Sequence, residues 1–366
     1  MYGYMEGNTN FKNDIYSLMN EIKKNNDSLN INFVNDEVFP IRNDFSAFLE
    51  YYNPRKLREM GNINSTDLND IISTILEKQK INENPSILLS DYTFSLERNS
   101  DVTGELARLK GGITAKLLDY KLVDKDYGIL ILKLVSEFNG KYYDKNNNVV
   151  ILDKKERPYY LWVIGNRKIL KNFGEKYELS SFPGYKDQVL FYNSEKDKTP
   201  FYSILTKTEK MGSFVPKNRN KKRYKSIERI KVDRRNDNVF QFAVAVDLSN
   251  IPVSEKYITN NSNYTIGSSV GDNVNIDTII PISGSNIEQQ DQRIVSTATH
   301  LLLVKYSERP SAGSQDLSIT LNKKMPSWIE ETSTEVDNTE DIASGKTFGL
   351  IYVVKGVSEV FTPTAG

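Results

Sequence analysis

Helical and strand periodicities alternate along the first part of this chain and then stop alternating. That switch constrains the fold more than any other feature of the sequence. Phe11, Ile15, Leu18 and Ile22 fall at helical spacing, so about 10–24 reads as an amphipathic helix. Ile31, Phe33 and Val34 give a short strand, and 45–52 a helix that stops at Pro54. Leu68, Ile71, Ile72, Ile75 and Leu76 form a helical stripe, with Ser65 or Thr66 placed to cap it. The run 86–89, ending in Ser90 and Asp91, comes after a helix and reads as a buried parallel strand. Leu106, Leu109, Ile113, Leu117 and Leu118 mark a further helix, weakened by Gly111 and Gly112. The runs 127–138, 141–143 and 149–152 read as a strand and a hairpin, and 159–164 as a second buried strand. Such alternation predicts an α/β domain over 1–195, its sheet mostly parallel with helices on both faces.

From about 197 onward no helical stripe is visible. Strand-like runs at 239–246, 264–266, 278–282, 301–306, 317–321 and 348–354 are separated by turn-rich clusters. They predict an all-β sandwich-like domain over 196–366, immunoglobulin-like in kind but without a Cys…Trp…Cys pattern. A length of 366 residues suits two such domains.

Composition removes whole classes of chemistry. There are no Cys residues, so disulfides, thiol catalysis and thiolate metal sites are excluded. His300 is the single His, so a multi-histidine metal site is excluded and any Ser-His-Asp triad would have to use it. Lys plus Arg and Asp plus Glu each number 48, which argues against wholesale binding to nucleic acid or a membrane surface and leaves room for a local patch. No run approaches the roughly 20 apolar residues of a membrane helix, and the start MYGYMEGNTN has no signal-peptide pattern. The expected compartment is cytoplasmic.

Three pieces of the first half belong together. Met1-Tyr2-Gly3-Tyr4-Met5 stands before an amphipathic helix, Asn64-Ser65-Thr66-Asp67 stands at a helix start, and Ile87-Leu88-Leu89-Ser90-Asp91 is an apolar strand ending in an acid. In these pieces the sequence resembles a bacterial von Willebrand factor A (VWA) domain. The resemblance implies a Rossmann-type sheet and a metal-ion-dependent adhesion site. In that site Thr66 would match the metal-bound Thr, Ser65 would replace it if the register shifts by one, and Asp91 would match the acid of the later strand. Hydroxyl and carboxylate oxygens suit Mg2+ or Mn2+, and an open coordination position would take a carboxylate from a protein partner. The family's D-x-S-x-S strand is not in the chain, and Met1-Tyr2-Gly3-Tyr4 matches the stretch just after that strand. The expectation is therefore a site incomplete in this chain, with a vacant slot between the strands ending at Val34 and Leu89. Without a metal, Ser65 and Thr66 remain helix caps and Asp91 a turn residue.

Three other features carry readings of their own. The segment 207–235 holds 12 Lys or Arg against three acids, with Phe214 and Tyr224 among them. It reads first as a solvated linker or twisted hairpin, and second as a phosphate-contacting surface. His300 reads as a satisfied or exposed strand histidine. The acids from Glu330 to Asp341 lack Ca2+-loop spacing and read as a solvated loop, with Trp328 anchoring it to the β core. The leading expectation is a metal-assisted protein-interaction module. A metal-free structural or assembly protein comes second, a nucleic-acid-binding protein third and an enzyme last.

Overall fold

A computed structural model describes residues 2–25, 30–34, 38–40, 68–81, 84–96, 100–123, 127–166, 169–170, 173, 176–192, 199–217, 223–236, 238–249, 255–269, 273–322 and 325–361. The helix expected over 45–52, and both Ser65 and Thr66, lie outside them. The chain divides into two compact units, one made of 1–195 with 325–366 and the other of 196–324.

The first unit contains helix α1 (Asn10–Lys24), strands β1 (Asn32–Val34) and β2 (Val38–Pro40), helix α2 (Leu68–Ile81), strand β3 (Ser86–Ser90), helix α3 (Val102–Val123), and strands β4 (Tyr127–Tyr143), β5 (Val149–Asn166) and β6 (Tyr185–Tyr192). Its sheet has the order β3-β5-β4-β6. Every neighbouring pair in it is antiparallel, which corrects the expected mostly parallel, VWA-like sheet. The physical reason is the β4–β5 hairpin. With α3 between them, β3 and β4 do run the same way, but β5 turns back from β4 and inserts between the two. β3 is thus an edge strand held on one side by β5, not a buried parallel strand. β1 pairs with β2 in a separate ribbon, so no slot lies between strands ending at Val34 and Leu89.

Alternation along the two long strands makes both sheet faces apolar. Ile129 and Ile131 of β4, with Tyr160, Trp162 and Ile164 of β5, meet Ile72 and Leu76 of α2 and Ile113 and Leu117 of α3. On the other face, Leu132 and Leu134 with Tyr159, Leu161 and Val163 meet Phe11, Leu18 and Ile22 of α1. Asp14 of α1 is buried there, and its carboxylate accepts from the Tyr159 hydroxyl and from the Gly184 N–H at 3.1 Å. Helices on both faces are therefore found, around a sheet of different topology.

The second unit is β-rich. It contains β7 (Tyr202–Ile204), β8 (Ser213–Pro216), β9 (Ile227–Lys231), β10 (Phe240–Val246), the short helix α4 (Glu255–Ile258), β11 (Tyr264–Ser268), β12 (Val274–Pro281), the short helix α5 (Gln292–Val295), β13 (His300–Tyr306) and β14 (Leu317–Leu321). One antiparallel sheet has the order β12-β13-β10-β7. The ribbons β8–β9 and β11–β14 bring Phe214, Ile230, Ile266 and Ile319 to the same core as Phe240, Phe242 and Val304. The expected sandwich is thus corrected to one sheet with two separate ribbons.

After 324 the chain belongs to the first unit, and it is largely helical rather than β. Helix α6 (Ser327–Thr332) leads into β15 (Ser333–Thr334), helix α7 (Thr339–Ala343), β16 (Thr347–Phe348) and helix α8 (Leu350–Phe361). β15 and β16 form the only parallel pairing among the described residues. The strand expected over 348–354 is mostly the first turn of α8. Leu350, Val353, Val354, Val357, Val360 and Phe361 are buried at helical spacing and join the α2–α3 side of the sheet.

Candidate functional site

The long β4–β5 hairpin is the part of the first unit that its own sheet leaves uncovered. β3 pairs only with 160–164 of β5, and β6 only with 128–134 of β4. Beyond that root, β4 and β5 continue together to the pair Tyr143 and Val149. The turn is closed by Asp144, whose Oδ1 accepts the N–H groups of Asn146 at 2.9 Å and Asn148 at 2.7 Å. A bulge lies where Phe138 pairs with Lys155 and Gly140 with Leu152, with Lys154 at φ 48°, which bends the ribbon.

The inner side of this ribbon is a polar centre. Arg157 is 2% exposed, and its Cζ lies 4.2 Å from the centroid of the Tyr142 ring. Its Nη1 and Nη2 donate to the carbonyls of Ile342 and Lys346, the latter at 2.9 Å. The guanidinium thus sits at the C-terminal end of α7, where helix carbonyls favour a cation. Asp337, also buried, accepts the Lys145 N–H at 2.6 Å and so ties the loop before α7 to the hairpin turn. Burial raises the Asp337 carboxyl above the ordinary range, against the Lys145 hydrogen bond and the nearby Arg157 charge. Burial likewise pushes the Tyr142 hydroxyl up to about 12, against the pull of Arg157 and with Asp337 adding to it, so it remains a protonated phenol at neutral pH. The Tyr142 hydroxyl has the Thr93 hydroxyl beside it, a contact that holds its rise in check, while Arg157 Nε and Asp337 Oδ1 are buried without a hydrogen-bond partner among the described residues. These two atoms offer a donor and an acceptor to a small polar species such as water.

The outer side of the same ribbon is apolar. Ile151 is 67% exposed, Val149 49% and Tyr143 39%. The register pairs Tyr143 with Val149 and Lys141 with Ile151, so all four share the face opposite Tyr142 and Leu152. The hairpin is therefore anchored from within by buried polar groups and presents branched and aromatic side chains outward.

Of the expected metal set, Ser65 and Thr66 lie outside the described residues. Asp91 is placed at the end of β3, where its Oδ1 accepts the Thr93 N–H at 3.3 Å across Tyr92, a residue at φ 51°. Its charge reaches Tyr4, Tyr142 and Tyr160, which puts it beside the polar centre. No group of three or more metal-ligating side chains converges among the described residues, and Asp91 by itself does not compose a shell for Mg2+ or Mn2+. The fold that implied the set is also not the one found.

The remaining candidates are accounted for locally. His300 is 5% exposed, with Nδ1 2.8 Å from Thr299 Oγ1 and Nε2 2.9 Å from Glu255 Oε1. Thr299 Oγ1 also accepts the Leu248 N–H. Trp328 is buried against the first unit's sheet, stacked 6.4 Å from Tyr160, and not against the second-half strands. Asp341 is bound to Thr334 Oγ1 and to Lys346 Nζ at 3.0 Å, so this acid is structural. No described helix is long and apolar enough to cross a membrane. Comparison of the chain with protein-family models, with curated proteins and with solved structures finds no match.

Proposed function

We propose that this chain is a protein-interaction module that docks its partner on the outer face of the β4–β5 hairpin. The observation that carries this reading is the exposure of Ile151, Val149 and Tyr143 together on one face of a ribbon whose other face is locked in place. Large apolar side chains grouped on a rigid surface mark sites that another surface covers. Lys141 stands on the same face, so the fitting partner is a protein segment with alternating apolar residues and a carboxylate opposite that lysine. The reading asks nothing of Mg2+ or Mn2+, because Asp91 serves a turn.

Selection of a displayed peptide library on the wild-type chain, with counter-selection on Ile151→Asp, tests it. The expected result is enrichment of clones alternating apolar and acidic residues that bind wild type and lose at least tenfold in affinity on Ile151→Asp and on Lys141→Glu. Clones indifferent to both substitutions, or no enrichment, would overturn the reading. Concentration-dependent self-association abolished by Ile151→Asp would move the occupant to a second copy, making this an assembly protein.

A further inference from the structure

A separate surface in the second unit points to another class of partner. The described parts of the segment 207–235, namely 207–217 and 223–235, include a two-stranded ribbon with two different sides. Phe214, Ile227, Ile230 and Val232 pack into the unit's core, while Lys217, Lys225, Lys231, Arg234 and Arg235 are exposed. β8 and β9 pair antiparallel, and Arg229 stands exposed at their bulge with φ 57°. None of these cations forms an ion pair among the described residues. Of the three acids in the segment, Asp233 is occupied in its own turn, accepting from the Arg235 N–H at 3.0 Å and Asn236 Nδ2 at 2.9 Å. Arg223 is held flat. Its Cζ lies 4.8 Å from the Phe201 ring centroid and 4.9 Å from that of Tyr202, and its Nε donates to the Tyr202 carbonyl at 2.6 Å.

We propose that this basic ribbon binds the phosphodiester backbone of a nucleic acid. The chain as a whole is neutral, so the excess of positive charge is concentrated here. The cations are spread along extended strands and turns rather than gathered in a pocket, which matches a continuous polyanion better than isolated carboxylates. A two-stranded ribbon fits the major groove of a duplex, and a guanidinium stacked on aromatic rings suits an unpaired base. Backbone phosphates are common to both forms.

Fluorescence anisotropy with a labelled 24-nucleotide single strand and the corresponding duplex, using the full chain, tests this. Wild type should bind at least one of the two at 50 mM salt, and the affinity should fall on the order of 10³-fold by 200 mM if about six phosphates are neutralised. The two arms show which form is preferred. The variant carrying Lys217→Gln, Lys225→Gln, Lys231→Gln and Arg235→Gln should bind at least tenfold more weakly, with a shallower salt dependence. Its thermal midpoint should stay near that of wild type, because all four side chains are exposed. Binding of neither oligonucleotide at 50 mM salt would overturn the proposal, as would an unweakened variant. So would competition by polyglutamate at equal charge, which would mark an acidic protein as the partner, or tighter binding to phosphatidylserine vesicles, which would mark a membrane.

Discussion

Arg157 lies over the ring of Tyr142 at 4.2 Å while its terminal nitrogens hold the carbonyls of Ile342 and Lys346, so one side chain joins the hairpin to the segment 342–346. Replacing it with Leu strips two charge-assisted hydrogen bonds, one from the buried Ile342 carbonyl and one from the partly buried Lys346 carbonyl, and should cost about 3 kcal/mol. Lys in its place lacks the planar fork and should recover less than half of that loss. Tyr142→Phe removes a hydroxyl whose neighbour is Thr93 and leaves the Arg157 hydrogen bonds in place, so it should cost only about 1 kcal/mol. Denaturant unfolding of the three variants checks the contrast, and a loss for Tyr142→Phe as large as that for Arg157→Leu would show that the guanidinium is not what holds the junction.

The raised Asp337 carboxyl carries a pH dependence of definite sign. Well below about pH 4 the acid is protonated in folded and unfolded chains alike, and it contributes nothing. As pH rises, the unfolded chain ionises first, so wild type loses stability until the folded carboxyl ionises as well. Asp337→Asn keeps an acceptor for the Lys145 N–H and has no titration. Its stability relative to wild type should therefore increase with pH from about 4 upward and then level. A gap that stays constant from pH 3 to 8 would contradict the assignment.

The proposed docking face can be separated from the fold. Ile151→Asp changes a side chain 67% exposed on the outer face of the ribbon. Its effect on unfolding should stay within about 0.5 kcal/mol, while peptide capture is lost. A destabilisation of several kcal/mol would show instead that the face is part of a core.

Much of the element pattern was legible, because helical stripes such as Leu68–Ile72–Leu76 and alternating runs such as 159–164 report local geometry directly. Sheet order was not. Placing β5 between β3 and β4 is decided by the hairpin and by which edge β3 reaches, and neither leaves a mark in periodicity. The run Tyr352-Val353-Val354 looked like a strand because β-branched residues favour one, yet 350, 353, 354, 357, 360 and 361 keep helical spacing throughout. Arg157 did leave a signal. It shares parity with Tyr159, Leu161 and Val163, so a charge on the buried face of β5 could have been read from the sequence. Its partners at Ile342 and Lys346 lie nearly 190 residues on and could not.

In the second unit, Asp291 is wholly buried and gathers donors from one short segment. Its oxygens accept the N–H groups of Thr206 at 2.9 Å, Lys207 at 2.8 Å and Thr208 at 2.8 Å, and both threonine hydroxyls. Burial alone would raise its carboxyl, but these hydrogen bonds prevail and hold it below the ordinary value. The stabilisation is then fully present above about pH 4 and lost as pH falls through the depressed folded value. Asp291→Asn should cost roughly 2 kcal/mol at pH 7, because an amide accepts through one oxygen only and brings two surplus donors. The difference from wild type should shrink below pH 4. Calorimetric unfolding from pH 2.5 to 7 checks both the size and the direction.

Gly356 governs how closely α8 approaches α3. A Cβ at this position would stand 2.8 Å from the Lys110 carbonyl oxygen and 3.1 Å from Ile113 Cβ, and the Thr114 hydroxyl lies 3.1 Å from the Gly356 carbonyl. Ala is normally the better helix former by about 1 kcal/mol, so an exposed glycine here would gain from the change. In this contact the added methyl meets backbone rather than a yielding side-chain end, and α8 must retreat from a core that includes Val353, Val357 and Ile113. Overpacking of that kind costs about 1–3 kcal/mol, enough to reverse the helix-propensity gain. Gly356→Ala should therefore lower stability, and Gly111→Ala, where a Cβ meets nothing within 4 Å, should raise it by up to about 1 kcal/mol. Thermal or denaturant unfolding of the pair decides it. A Gly356→Ala variant as stable as Gly111→Ala would show that α8 does not pack on α3 as closely as described.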